Sequence, residues 1–205
     1  RLTRLLVALK RRYPDRVHLL VGNRDLNKLR FTAELGEADM ARPVDEIPGP
    51  HWDPSAPTLA QHLQQVAEAR ELPSAEAANA RAERLRYMLL HTLGCPDTFE
   101  FRRRELAIER AAGGRDATGG EFDEYVTPAD ARAAVGDDEV VASFVSEVQA
   151  GGALRQYLEL AEVACILGNT LFIHGCVDEF SMRRVPDIST RFELPSSPPR
   201  MHTVE

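Results

Sequence analysis

Two short polar segments are the best candidates for chemistry in this chain of 205 residues. Gly22-Asn23-Arg24-Asp25 directly follows the apolar run 17–21, and His174-Gly175 stands at the end of the apolar run 170–174. We predict that each apolar run forms a strand. Ligands of open α/β sheets gather at the carboxyl ends of strands, so both segments are predicted to border a site.

The elements that would position these segments follow from apolar periodicity and turn residues. Gly168-Asn169 predicts a tight hairpin of 164–167 with 170–174. The prolines between 43 and 57 predict an irregular crossing. Leucine, alanine and valine at helical spacing predict helices over 1–12, 27–35, 58–70, 74–93, 99–112 and 154–161. A further helical stretch is predicted to begin at Pro128 and to carry the apolar stripe 140–148. This order of elements predicts an α/β or α+β fold rather than a helical bundle.

Together, the two polar segments resemble the calcineurin-like metallophosphoesterases, the family of Ser/Thr phosphatase-like enzymes. In that family one strand ends in Gly-Asn-His-Asp or Gly-Asn-His-Glu, and a later hairpin strand ends in a metal-binding His followed by Gly. Residues 165–175, CILGNTLFIHG, resemble the family's hairpin over its whole length. The resemblance implies part of a β-sandwich flanked by helices, with core segments at 1–57 and 153–205 and a helical insertion at 58–152.

The resemblance implies that Asn23 and His174 are metal ligands. An amide oxygen and a neutral imidazole nitrogen suit manganese, iron, zinc or magnesium. Two divalent ions roughly 3.5 to 4 Å apart can generate a hydroxide and clamp the phosphoryl oxygens of a phosphate ester. The implied function is a metal-dependent phosphoesterase that hydrolyses a phosphorylated substrate, with two metal ions as cofactors.

Arg24 departs from the family pattern because it stands where the family has the His that is thought to protonate the leaving group. Arginine stays protonated near neutral pH, so it cannot act as that acid. It can still grip a phosphate and stabilise developing charge, with Asp25 orienting it. Arg24 and Asp25 are therefore the candidate catalytic residues, and Lys28 and Arg30 extend a basic cluster that either binds phosphate or is solvated.

Other segments of the family pattern are absent from the sequence. Asp-x-His and Gly-Asp-x-x-Asp upstream, and Gly-His-x-His downstream, are all missing. We expect the chain to be an interior fragment of such a domain, or else a degenerate relative that has lost catalysis and serves as an interaction scaffold. A third hypothesis is an unrelated helical protein, in which Asn23 belongs to an ordinary turn and His174 to the core.

Composition excludes several other classes of function. The net charge is −7 and basic residues are scattered among acidic ones, so nucleic acid is not an expected partner. Cys95, Cys165 and Cys176 have no CxxC spacing, which argues against a disulfide framework or a cysteine zinc site. No apolar run approaches the roughly 20 residues that span a bilayer, so no membrane is expected and the predicted location is cytoplasmic.

Two further charged or flexible segments are predicted to lie at the surface. Arg102-Arg103-Arg104 on a helix predicts a solvated face. The glycine-rich segment 113–120 lacks the lysine of a phosphate-binding loop and predicts a hinge, and the acidic residues Glu121, Asp123 and Glu124 lack the spacing of a calcium loop.

Overall fold

A computed structural model describes residues 2–50, 52–111, 126–178, 184–186 and 201–203, the last two ranges by their backbone alone. The described residues form a helix-rich α+β structure. The α-helices are α1 Leu2–Arg12, α2 Asn23–Asn27, α3 Phe31–Glu34, α4 Glu37–Met40, α5 Leu59–Ala69, α6 Arg81–Tyr87, α7 Thr98–Ala111, α8 Pro128–Ala134, α9 Asp137–Val148 and α10 Ala153–Leu160. The strands are β1 Ala164–Leu167, β2 Thr170–Ile173, β3 Arg184–Pro186 and β4 Met201–Thr203.

Shorter helical segments join several of these elements. Lys28–Arg30 is a 3-10 turn between α2 and α3, and Val44–Glu46 and Glu76–Ala78 are two more. Met88–Thr92 continues α6 as a π-helix. The predicted continuous helix over 74–93 is therefore wrong in detail, because the chain leaves the helical conformation around Asn79 before α6 begins.

Side-chain caps explain why two predicted helices begin where they do. The Thr58 hydroxyl accepts a hydrogen bond from the Gln61 backbone N–H, and the Gln61 amide oxygen accepts one from the Thr58 N–H. Thr127 caps α8 in the same way, with Pro128 in the first turn. The predicted helix starts near 58 and at 128 are confirmed.

The larger hydrophobic core lies among α3, α6, the π-helix, α7, α8 and α9. Its buried members are Phe31, Leu35, Ala82, Leu85, Met88, Leu89, Leu93, Phe99, Ala107, Ala131, Val135, Val140, Val141 and Val148. The rings of Phe31 and Phe144 meet edge to face at 5.6 Å. Residues from the segment 1–57 thus share a core with the segment 58–152, and the predicted segment boundaries stay a prediction.

A smaller core joins α5 to α6. Leu59 and Leu63 of α5 pack there with Val44 and Tyr87. The Tyr87 hydroxyl donates to the Pro57 carbonyl at 2.9 Å, which fixes the proline-rich crossing against α6. The irregular crossing predicted for 43–57 is confirmed apart from its one 3-10 turn.

The expectation that residues 102–104 form a solvated face is wrong. Arg103 is only 3% exposed, and its guanidinium donates to the Val135 carbonyl and to the Asp137 carboxylate. Arg102 donates to the Ser143 hydroxyl of α9 at 3.1 Å. Helix α7 packs against both α8 and α9, and successive helical residues point in directions about 100° apart, so neighbouring arginines meet different elements.

The predicted strand 17–21 is also wrong as a regular strand. The described segment makes a single parallel bridge, Leu20 to Glu162, in which the Glu162 N–H donates to the Leu19 carbonyl at 2.8 Å and the Val21 N–H donates to the Glu162 carbonyl at 3.0 Å. The hydroxyl of Tyr157 donates to the Leu20 carbonyl at 2.8 Å. A strand needs a partner along its length, and within the described ranges this segment meets one only at its end.

Strand pairing is limited among the described residues to two antiparallel pairs, β1 with β2 and β3 with β4. The segments 113–120 and 121–124, for which a hinge and surface charge were predicted, lie outside the described residues. No helix in the described part of the chain combines the length and apolar character needed to cross a membrane.

Candidate functional site

The predicted hairpin is confirmed and carries His174 at its end. Ala164 pairs with Ile173 and Leu167 with Thr170, so the strands are joined by the two-residue turn Gly168-Asn169. Gly168 has a φ of +59°, which glycine adopts without steric cost. His174 follows β2 directly, and its side chain is exposed.

The second polar segment forms the start of α2 rather than a loop. Gly22 is the N-cap, and Asn23 is the first helical residue. The Asp25 carboxylate reaches back and accepts the Gly22 N–H at 2.9 Å, which satisfies one of the donors that a helix start leaves unpaired. The predicted helix 27–35 therefore begins earlier than expected, because Gly22 and Asp25 together start it.

Asn23 and His174 meet across a sequence separation of 151 residues. His174 Nε2 lies 3.0 Å from Asn23 Oδ1. The same Oδ1 accepts the Arg24 backbone N–H at 2.9 Å, which identifies that atom as the amide oxygen. His174 Nε2 must therefore carry the proton when it donates to Asn23, and it must lose that proton before it can serve as a metal ligand.

Gly22 leaves the room that the His174 ring occupies. A Cβ at position 22 would lie 3.0 Å from His174 Cε1, 3.1 Å from His174 Nδ1 and 3.2 Å from Asp25 Oδ2. Real Cβ atoms are seldom this close to ring atoms, so any larger residue would push the imidazole away. The glycine of the first segment thus positions the histidine of the second.

The distance between the two donor atoms equals one edge of a metal site. Two ligands at right angles on an ion with bonds of about 2.1 Å lie about 3.0 Å from each other. Asn23 Oδ1 and His174 Nε2 have this separation, and their donor types suit a divalent cation. Among the described residues, however, no group of three or more His, Cys, Asp or Glu side chains converges here or elsewhere.

Arg24 points to a different part of the molecule. Its Nη1 donates to the Leu93 carbonyl at 2.6 Å, just beyond the π-helix. The guanidinium packs against Gly94, where a Cβ would lie 3.1 Å from Nη1 and where φ is +64°. Arg24 therefore ties α2 to the end of the π-helix.

The remaining charges of the basic cluster have separate partners. Lys28 Nζ donates to the Arg24 carbonyl at 3.2 Å and lies 4.0 Å from Asp25 Oδ1. Arg30 pairs with Glu34 one turn later. Burial raises the pKa of Tyr157, and the negative charge of Asp25 raises it further. The cations near Asn23 do not converge on a common point.

Sequence reasoning missed the backbone partners that orient this region. The Leu93 carbonyl, which holds Arg24, and the Leu20 carbonyl, which accepts from Tyr157, leave no trace in residue type. Gly94 is the one visible signal, since a glycine after a helix marks a left-handed end.

Comparison of the chain with protein-family models, curated proteins and solved structures finds no match.

Proposed function

We propose that this chain contributes Asn23 and His174 as metal ligands to a metal-dependent phosphoesterase of the calcineurin-like type. The observation that supports the proposal is their contact of 3.0 Å. These two residues were selected by motif alone, on segments far apart in the sequence, and one ion can bind both only if their donor atoms lie about this close. The proposal extends to the fold, in which the β1–β2 hairpin and the segment 17–22 belong to a β-sandwich flanked by helices.

The resemblance implies two divalent ions of manganese, iron, zinc or magnesium. These ions would supply an activated water and neutralise charge on the phosphoryl group. The role of this chain is to hold donors in place. Arg24 N–H fixes the Asn23 amide oxygen, and Gly22 leaves space for the imidazole. The remaining ligands have to come from outside the described residues.

Arg24 and Asp25 have distinct proposed roles in this mechanism. The Arg24 guanidinium donates to the Leu93 carbonyl, so the proposed phosphate contact requires the substrate to reach its other N–H donors at the end of the π-helix. Asp25 acts on the helix start, because its carboxylate holds the Gly22 N–H and so sets the turn that presents Asn23. Asp25 is thus a positioning residue, and it does not reach Arg24 in the way the family motif implies.

The second candidate function is an interaction scaffold on a phosphoesterase-like fold that has lost catalysis. The observation in its favour is the engagement of Arg24 with the Leu93 carbonyl, a structural role in place of an acid. The two functions differ in turnover and share the contact between Asn23 and His174.

The test is hydrolysis of p-nitrophenyl phosphate with and without Mn²⁺, together with equilibrium binding of Mn²⁺. Asn23→Ala and His174→Ala are compared with Asn169→Ala, which removes an exposed amide from the hairpin turn. Manganese-dependent turnover that both site variants abolish and the control retains supports the phosphoesterase. Metal binding that depends on the same two residues without turnover supports the scaffold, and metal binding that ignores both residues overturns the proposal.

A further inference from the structure

A cavity of about 590 Å³ lies beside the helical core, bounded by α1, the start of α2, α7, α9 and α10. This volume is within the range of about 300 to 1,000 Å³ that is usual for small-molecule sites. His174 and Asn23 lie outside its lining. The cavity therefore borders the candidate site at Asp25 and Lys28 but does not include the two proposed metal ligands.

Most of the cavity surface is apolar. Phe31 and Phe144 contribute an edge-to-face pair of rings, and Ile108 and Leu154 add aliphatic side chains. Phe101 stands at the cavity with 62% of its surface exposed. A large apolar side chain exposed at such a cavity gains stability when a ligand covers it.

The charged residues of the lining are paired, with one exception. The pairs are Arg4 with Glu147 at 2.6 Å and Glu109 at 3.5 Å, Arg102 with Glu105 at 2.5 Å, and Lys28 with Asp25 at 4.0 Å. Arg104 also lines the cavity, and it makes no hydrogen bond or ion pair with any residue that the structure describes. Its Nε is buried from solvent and has no partner there.

An unpaired arginine in this position favours an anion. Arg104 is half-buried, and its Nε has lost contact with water without gaining a partner, so an anion that accepts a hydrogen bond from this N–H offsets that loss. A carboxylate matches the planar fork of N–H donors. The other three cations of the lining, on Arg4, Lys28 and Arg102, already face carboxylates, so the cavity offers a ligand one unpaired cation and therefore suits a single negative charge.

We propose that this cavity binds a monoanionic carboxylate with an apolar body, of the type of a medium-chain fatty acid. The carboxylate pairs with the Arg104 guanidinium, and the hydrocarbon lies along Phe101, Ile108, Phe144 and Leu154. This proposal does not rest on the phosphoesterase function, because none of the residues proposed to bind the carboxylate or the hydrocarbon is a proposed metal ligand.

The test uses octanoate and 1-octanol, which share a chain length and differ in charge, in calorimetric titrations of the whole chain. Octanoate is expected to bind to the wild type. Arg104→Met is expected to lower the affinity for octanoate by about tenfold or more, in line with the loss of a charged hydrogen bond, and to change the affinity for octanol by less than about twofold. The matched control is Arg81→Met, which removes an exposed arginine of α6 that does not line the cavity.

A second measurement needs no substitution. Nuclear Overhauser effects from the octanoate chain to the side chains of Ile108 and Phe101 in the wild-type protein are expected. The proposal is overturned if octanoate does not bind, if it binds equally well to Arg104→Met, or if its nuclear Overhauser effects are to other residues only.

Discussion

The helical core and the contact between Asn23 and His174 are held together in opposite ways. Leu85 and Leu89 are fully buried among residues from several helices, and each loses contacts on every side if it is shortened. Asn23 and His174 are exposed side chains joined by one hydrogen bond at 3.0 Å. The core therefore determines the stability of the chain, and the site can change with little effect on folding.

This difference also separates what each region is able to do. A buried leucine has no free donor or acceptor, whereas an exposed amide oxygen and an imidazole nitrogen at ligand distance can exchange their mutual bond for a cation. Exposure makes the contact weak, because water competes for both groups. The same exposure gives an ion or a substrate access to it.

The largest expected effect is on the core. Leu85→Ala should lower the free energy of unfolding by about 3 to 5 kcal/mol, because it removes buried methyl groups and leaves a cavity. His174→Ala should lower it by less than about 0.5 kcal/mol, as is usual for an exposed residue. Urea unfolding of both variants measures the contrast. Equal losses of stability would show that the site is part of the core.

The stability of the smaller core should depend on pH through two half-buried histidines, His62 and His91. Burial lowers the pKa of His62, and the nearby His91 lowers it more; burial likewise lowers the pKa of His91. Both rings pack on Tyr87 between α5 and the π-helix, with centroids 5.4 and 5.1 Å from it. The unfolded chain then binds more protons than the folded chain, so stability is full above pH 6.5, the ordinary pKa, and falls as the pH drops through the lowered values.

Urea unfolding between pH 7 and pH 5 measures this loss of stability. The double variant His62→Phe/His91→Phe should lose less stability across this interval than the wild type. Asn169→Ala, which removes an exposed side chain that does not titrate, serves as the control and should keep the wild-type dependence. A double variant with the wild-type slope would exclude the His62 and His91 pair as the cause.

A smaller loss of stability than that of Leu85→Ala is expected for Gly22→Ala. The backbone at Gly22 has a φ of −106°, which alanine adopts, but alanine is a poor N-cap and its Cβ would crowd Asp25, so the free energy of unfolding should fall by about 1 kcal/mol. The new Cβ should also displace the His174 ring and weaken metal binding by about tenfold or more. Calorimetric Mn²⁺ titration of the folded variant measures this effect, and unchanged affinity would show that Gly22 does not position the imidazole.

Sequence alone predicted the helices of the core better than the backbone near the site. Helices such as α5 and α8 depend on local signals, namely apolar periodicity and the caps of Thr58 and Thr127. The run 17–21 has the composition of a buried strand, but strand formation depends on distant partners, and in the described residues it meets only Glu162. The composition of a segment does not indicate whether a strand partner lies beside it in the fold.

The contact of Asn23 with His174 was expected only as a shared ligand role implied by resemblance, and the structure brings the two side chains to 3.0 Å from each other. The orientation of Arg24 toward Leu93 was not predictable, because a backbone carbonyl accepts hydrogen bonds whatever its residue type. Likewise, the burial of Arg103 follows from the packing of α7 between two helices and not from the arginine run itself.

Nitrogen NMR of the His174 ring shows whether Asn23 and His174 bind one metal ion, as we propose. Two neutral ligands bind weakly, so Zn²⁺ is added to millimolar levels while the ring nitrogens are observed. Without metal, Nε2 should carry the proton that it donates to Asn23. With metal, Nε2 should lose that proton and Nδ1 should carry one, in a saturable change that Asn23→Ala weakens. A His174 ring that keeps its proton on Nε2 at saturating Zn²⁺ would exclude this atom as a metal ligand.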